Sequence, residues 1–437
     1  MLLGMEIGMR GKGKIYKRAW RAFLVFNCAL WAFSGCGRRE KTESPNIKGP
    51  CTTFDSYSTP TTGEVRMPVF LVDFPDERYG EDALSEEEMQ ELLFGDGEES
   101  MATFERNASY GQLQLSGDVR YYTAELPMED YKNADNGFEM LAKEVLSAFD
   151  EELDYRDYDS DNNGHIDAFT LTIAGEDLYW YGCQSTWYDD EEFCVDGVYP
   201  YYFIINDAQP YEYNKGYFVE EMCHEFGHCM GLPDYYKYDL DWDFEAMDGI
   251  AGTEMMDEMT GDYSQLSKLM LGWLKEDQVK VYRGGTQEYR LKSASVEGNC
   301  ILVPMFPVEE ENIKKLIKGE YFLIQYDTAE GNMVGTIREK HEGIRIFHVD
   351  AHVTTDVYGY RSFKYNGFSE YYDATHNGRR IIRLVNDGGG YFKEGAVIDY
   401  SVPGFAWYDE DGKETVNPGL RITVTGEGTV TIEQINP

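Results

Sequence analysis

Eight residues constrain this chain more than any others: His224-Glu225-Phe226-Gly227-His228, followed by Gly231, Pro233 and Asp234. Histidines four apart share one face of a helix, a turn from each other. The spacing predicts a helix over Phe218 to Met230. A glycine at 231 can adopt positive φ and end that helix sharply, and Pro233 stiffens the exit. Such a turn lets Asp234 swing back towards the histidines. Two neutral imidazoles and a carboxylate make three protein ligands for a tetrahedral zinc whose fourth position takes water. Glu225, beside the pair, is placed to act as a general base without ligating. The competing reading is an amphipathic helix with incidental histidines. Against it stand the added Gly and Asp at extended spacing, in a chain with only seven histidines. Asp234 is the predicted third ligand, although acidic residues are plentiful just downstream. Met247 is the candidate for a methionine beneath the metal, with Met255 and Met256 as competitors. Tyr235, Tyr236 and Tyr263 are candidates, by proximity alone, to stabilise an oxyanion.

A second pattern begins at Asp159. Oxygen donors from Asp159, Asp161, Asn163 and Asp167 fall at loop positions 1, 3, 5 and 9, with Gly164 at 6, His165 at 7 and Ile166 at 8. That is the spacing of an EF-hand-like calcium loop, although Thr170 replaces the usual bidentate Glu at position 12. The competing reading is a polar turn between helix and strand. Calcium here would stabilise rather than catalyse.

The chain carries 80 acidic against 39 basic residues, a formal charge of −41. Such a field repels phosphate backbones and excludes nucleic acid as a partner. The first 36 residues break the pattern, with basic residues from Arg10 to Arg21, an apolar run from Ala22 to Phe33, and then Ser34-Gly35-Cys36. This reads as a secretory signal too short to span a bilayer, ending in a lipobox-like site at Cys36. Phe33 is an imperfect lipobox residue, and an ordinary signal peptide or one uncleaved anchor helix is the alternative. The expected location is extracellular, either secreted or held at a bacterial surface or membrane as a lipoprotein. Membrane contact is expected only through a lipid on Cys36. Export permits disulfides; Cys183 and Cys194 flank an acidic loop and can pair, whereas Cys223 and Cys229 point to different faces of one helix.

Residues 37–62 are polar and without sustained periodicity, the texture of a tether or a short pro-segment. A pro-segment would offer Cys51 as a cap for the metal. Strands are predicted at Val65–Phe74 and Thr170–Gly175, and helices over Ser85–Leu93, Phe138–Phe149 and Ser264–Trp273. Past about 280 short strand-like runs alternate with turns. The expected division is a signal over 1–36, a tether over 37–62, a catalytic domain over 63–280, and a mainly β region over 281–437.

These residues resemble the M6 family of metallopeptidases, the immune inhibitor A type and its bacterial M6-like relatives. Phe70-Leu71-Val72-Asp73-Phe74-Pro75-Asp76 resembles the family's opening strand, and Asn107-Ala108-Ser109-Tyr110-Gly111-Gln112-Leu113 its "NSYG" block. The Asp157–Asp167 loop, the His224–Asp234 motif and Ser267-Lys268-Leu269-Met270-Leu271-Gly272-Trp273 follow in the family's order. Glu320–Gln325 and Gly343–Asp350 resemble its later blocks. The resemblance covers roughly Arg66 to Asp350, and only the zinc motif is highly specific by itself. It implies an α+β protein with a metzincin-like zinc peptidase catalytic domain, acting as a monomer on protein or peptide substrates. Two departures bear on substrate preference: Gln325 stands where the family has Glu, and the stretch between Asp234 and Trp273 is longer and more acidic. Two rival readings are a catalytically inactive calcium-binding surface adhesin on a peptidase fold, and a glycosidase using paired carboxylates, for which no acid pair stands out.

Overall fold

Along the long strand β1 (Gly63–Asp73), Val65, Met67, Val69 and Leu71 enter one hydrophobic cluster, while Phe70 and Val72 enter another. This is the two-residue alternation of a pleated strand buried on both faces. The computed structural model describes residues 46–435 except 81–82, 84, 176–183, 208–214, 237–249, 251–253, 260, 306–312, 335–341, 358, 366–377 and 386–389. The signal segment with Cys36, Cys183 and Met247 therefore lie outside the described residues. The first sheet has the order β2 (Leu113–Thr123), β1, β3 (Phe169–Ile173), β5 (Tyr202–Asp207), β4 (Gln184–Trp187). Its first four strands are parallel, and β4 runs antiparallel at the edge. Pro68 sits in β1 ahead of the pairing with β3, which starts at Val69. A missing N–H is tolerated where a strand has a neighbour on one side only.

Helices cover both faces of this sheet. Helix α1 (Glu86–Phe94) starts at a capping box between Ser85 and Glu88 and buries Met89 and Leu93. With α2 (Met101–Ala108), it packs on the face bearing Val65 and Met67. On the opposite face lie α3 (Met128–Lys132) and α4 (Gly137–Ala148), whose Leu141, Val145 and Leu146 recur at helical spacing. Helix α5 (Lys215–Cys229) carries the histidine motif and joins the α1 and α2 face through Phe218, Met222 and Phe226. The short α6 (Met255–Glu258) and α7 (Gln265–Met270) follow. Helix α7 is shorter than the expected Ser264–Trp273: Ser264 is its N-cap, and Gly272 at φ 77° ends it.

The C-terminal region is mainly β, as expected. One sheet has the order β13 (Ile382–Leu384), β10 (Gly343–Asp350), β9 (Glu320–Asp327), β8 (Cys300–Pro304), β6 (Val279–Val281). Another has β14 (Val397–Ile398), β17 (Leu420–Gly426), β18 (Thr429–Gln434), β7 (Thr286–Arg290). Two small ribbons pair β11 (Val353–Thr355) with β12 (Arg361–Phe363), and β15 (Trp407–Tyr408) with β16 (Glu414–Val416). Alternation again divides the faces. Cys300, Leu302, Leu323, Phe347 and Val349 share the cluster that holds α5, whereas Ile301, Val303, Phe322, Ile324 and Ile346 face the four-stranded sheet. Residue 280 thus marks a change of texture while the core runs through it. Gln325 is 1% exposed, accepting from Gln265 N at 2.9 Å and donating to Asp327 at 2.7 Å.

The expectation of a tether over 37–62 needs correcting from Asn46 onward. Ile47, Cys51 and Thr59 are buried, and Ile47 N donates to Leu274 O at 2.9 Å. Trp273 Nε1 donates to Thr61 O at 2.6 Å, and Thr61 Oγ1 to Leu271 O at 2.9 Å. Residues 46–62 form a strap laid over the ends of α5 and α7. No helix among the described residues is long and apolar enough to cross a membrane.

Candidate metal centre

Helix α5 ends as its sequence demands. Gly231 takes φ 99°, its N–H bonds His228 O at 2.8 Å, and Leu232 N bonds Gly227 O at 3.0 Å. This paired closure is a Schellman turn, which a left-handed glycine permits. The reversal brings Asp234 under the helix. Its Oδ1 lies 3.0 Å from His224 Nε2 and 3.2 Å from His228 Nε2. Bonds of about 2.0–2.1 Å to a tetrahedral zinc place neighbouring donors about 3.3 Å apart. The two distances from Asp234 are thus already close to the edge lengths of such a tetrahedron.

The other nitrogen of each imidazole is held by backbone. His224 Nδ1 is 2.8 Å from Met255 O, and His228 Nδ1 is 2.7 Å from Leu232 O. A carbonyl can only accept, so each Nδ1 carries a proton, and each Nε2 would turn a lone pair to a metal in place of its contact with Asp234. His224 is 3% exposed and Asp234 6%, while His228 opens onto a cleft of about 600 Å³. Nitrogen, nitrogen and carboxylate with one open side fit a catalytic zinc. In this structure the donors satisfy one another. Burial opposes a charged His228 ring, yet the Asp234 carboxylate raises it to about 10. Burial likewise opposes charge on Asp234, and the His228 charge drives it well below the usual carboxylate range.

Glu225 is also close: a carboxylate oxygen from it and one ring nitrogen from each histidine lie within 4.8 Å of one another. Its Oε2 accepts from Ser185 N on β4 at 2.8 Å. That bond holds the carboxylate beside the histidines, whereas Asp234 contacts both rings directly. Of the two carboxylates, Asp234 is the one that meets both Nε2 atoms. Burial raises the Glu225 pKa, which suits a group that must take and return a proton.

Beneath the helix, Met255 supplies the carbonyl on His224, and Met256 lies against Gly227. A Cβ added at Gly227 would come within 2.6 Å of Met256 Sδ. The two methionines that competed with Met247 are thus at the site, while Met247 lies outside the described residues. Glu254 holds this turn by accepting from Ser264 N at 2.9 Å and from Met256 N. Ser185, Glu254 and the carbonyls of Leu232 and Met255 had no signal in the sequence, since backbone groups and long-range partners leave no spacing to read.

Two of the tyrosine candidates point elsewhere. Tyr235 is buried with its hydroxyl 2.9 Å from Ser267 Oγ, and Tyr263 donates to Cys223 O at 2.7 Å. Tyr263 thereby braces α5 and Tyr235 is tied to α7. Tyr236 lies beside the histidine pair, its ring stacked on His224 with centroids 6.3 Å apart. Cys51 does not reach the metal ligands; its thiol donates to Gly231 O at 3.1 Å. Among the described residues Cys51, Cys223, Cys229 and Cys300 are buried free thiols and Cys194 is exposed.

In the acidic loop, carboxylate oxygens of Asp159, Asp161 and Asp167 lie within 4.8 Å of one another. Asn162 at φ 58° and Gly164 at φ 91° make the turn. Asp159 accepts from Asn163 N and Gly164 N, both at 2.9 Å. Asn163 Oδ1 accepts from His165 N at 2.8 Å. The His165 imidazole turns away onto Tyr57, ring centroids 4.1 Å apart, leaving only its backbone in the loop. Thr170 is fully buried in β3, its hydroxyl 3.6 Å from Met67 Sδ. Three aspartates therefore form the cluster.

No family model matches the sequence, and neither does any curated protein. Among solved structures, wild-type OgpA from Akkermansia muciniphila is similar over 70% of this chain and 98% of its own, at 14% identity and a TM-score of 0.27. That likeness is too slight to carry an argument about fold or activity.

Proposed function

We propose that this protein is an exported zinc-dependent endopeptidase with a metzincin-like catalytic domain, of the M6 type that its motifs resemble. One observation carries the reading: both Nε2 atoms converge on a single Asp234 oxygen at 3.0 and 3.2 Å, with Glu225 alongside. The histidine helix closed by a glycine turn, with a methionine packed beneath, supports the metzincin comparison. His224, His228 and Asp234 would hold the metal. When bound, zinc supplies Lewis acidity, acidifying a water and polarising the scissile carbonyl. Glu225, fixed by Ser185 N, takes the water's proton and hands it to the departing amine. Tyr236, whose ring stacks on His224, is the proposed donor to the developing oxyanion, and β4 and the cleft wall would orient the peptide. The leader-like sequence ending at Cys36 supports a place outside the cell, secreted or held by an N-terminal lipid.

Metal analysis of the full chain, with casein hydrolysis before and after chelation, tests this. About one zinc per chain is expected, with activity lost to chelator and restored by zinc. A folded protein that binds no zinc and cleaves nothing would leave the calcium-binding surface adhesin as the better account.

A further inference from the structure

The acidic loop and the cleft are joined by one piece of chain. On the loop side, Asn163 Nδ2 donates to Ser56 O at 3.0 Å, and Thr59 Oγ1 donates to Asp167 O at 2.6 Å. The Tyr57 ring lies on His165. On the helix side, Thr59 N donates to Cys229 O at 3.0 Å, and the Cys51 thiol to Gly231 O. The strap rests on two helix-ending glycines: a Cβ on Gly231 would lie 3.4 Å from Cys51 Cβ, and one on Gly272 3.3 Å from Ile47 O. Between these anchors Phe54, Asp55 and Ser58 line the cleft that also exposes His228 and Asp234. The strap is therefore a wall of that cleft, fastened at its far end to the three aspartates.

Those aspartates are incomplete as they stand. Asp167 is 2% exposed, and its Oδ1 has no hydrogen-bond partner among the described residues. A buried carboxylate oxygen without a partner is costly, and two further carboxylates beside it add repulsion. An all-oxygen donor set suits a hard cation. Calcium accepts irregular oxygen cages, whereas magnesium demands a regular octahedron and keeps its water.

We infer that a calcium ion held by Asp159, Asp161 and Asp167 fastens the strap and so sets the cleft wall beside His228. Only the catalytic consequence rests on the zinc-peptidase reading. The ion draws the carboxylates together and fixes Asn163 and the Asp167 carbonyl, the two loop groups that grip the strap. Without it, repulsion among the carboxylates loosens both grips at once, and the wall is freed with them.

The experiment uses the full chain and calcium chloride as the probe. Calorimetry reads binding, hydrogen exchange reads the amides of residues 54–59, and a fluorogenic peptide reads KM and kcat. Calcium is expected to slow exchange in 54–59 by about tenfold and to lower KM by about fivefold with kcat little changed. Magnesium chloride should do neither. Asp159→Asn with Asp167→Asn should abolish the heat of binding. Thr59→Val with Tyr57→Ala, which cuts the strap's grip but spares the carboxylates, should bind calcium normally and lose the effect on exchange. Calcium binding that leaves residues 54–59 exchanging as before would overturn the coupling. Absence of any heat would overturn the ion itself. Protection of 54–59 in a chain that cleaves no peptide would uphold the coupling and fault only the peptidase reading.

Discussion

Among the described residues two places bury histidine among carboxylates, and they are built to opposite ends. At the helix site two Nε2 atoms share one Asp234 oxygen, each ring is steadied through its other nitrogen by backbone, and one side lies open. At His348 on β10, fully buried, the ring nitrogens diverge: Nε2 to Glu320 and Nδ1 to Glu414, each at 3.0 Å. Every remaining carboxylate oxygen there has a protein partner, with Arg379 3.6 Å from Glu320 and Arg383 3.1 Å from Glu414. Tyr408 stacks on the ring and closes it off. The composition is nearly the same. Convergence with one vacant side suits a metal and a substrate, whereas divergence with full satisfaction makes a structural brace.

The sharpest way to break this contrast is at Glu225. Glu225→Gln should lower turnover by about 10²–10⁴-fold while zinc content stays unchanged, and His228→Ala should lose the zinc as well. Normal turnover in the glutamine variant would remove Glu225 from the chemistry. At the brace, His348→Gln should destabilise the fold by about 3–5 kcal/mol in urea unfolding, since it strands two buried carboxylates. Zinc content should not move; if it falls, the two clusters are one system.

That cost should depend on pH. Burial opposes charge on His348, but Glu320 and Glu414 raise its pKa above the ordinary value. The folded state then holds a proton that the unfolded chain, with a pKa of about 6.5, releases. Its stabilising effect is complete below the unfolded pKa and is lost as pH rises through the folded one. The gap between wild type and His348→Gln should therefore be widest near pH 6 and narrow steadily in alkali; a constant gap would show the ring neutral throughout. The smallest effect is expected from Gly227→Ala, where the new methyl meets Met256 Sδ. Overpacking of this kind costs about 1–3 kcal/mol, and here it should also weaken zinc binding, which competition with a chelating dye would read.

Much of the candidate metal centre could be read directly because its geometry is local. Four-residue spacing puts His224 and His228 on one face, and Gly231 with Pro233 forecasts the turn that returns Asp234. The strands at 65–74 and 170–175 were equally legible, since both carry the apolar signature of a doubly buried sheet. The strap was not. Ile47, Cys51 and Phe54 follow neither helical nor strand period, and Cys51 reaches Gly231 across 180 positions. His165 fitted a ligand position by spacing, but Tyr57, 108 residues earlier, claimed its ring. Tyr235 and Tyr263 failed as cleft residues for a related reason: nearness along the chain says nothing about which side of a helix a ring will brace.

Cys51 has a use of its own. Burial pushes its thiol far above the ordinary range, and only the thiolate reacts with alkylating reagents. While the strap lies on Gly231, this sulfur is chemically silent; each time the strap lifts, it becomes open to attack. Cys194, exposed, reacts from the start and calibrates the reagent. The slow appearance of a label on Cys51 is thus a clock that counts how often one wall of the cleft swings away.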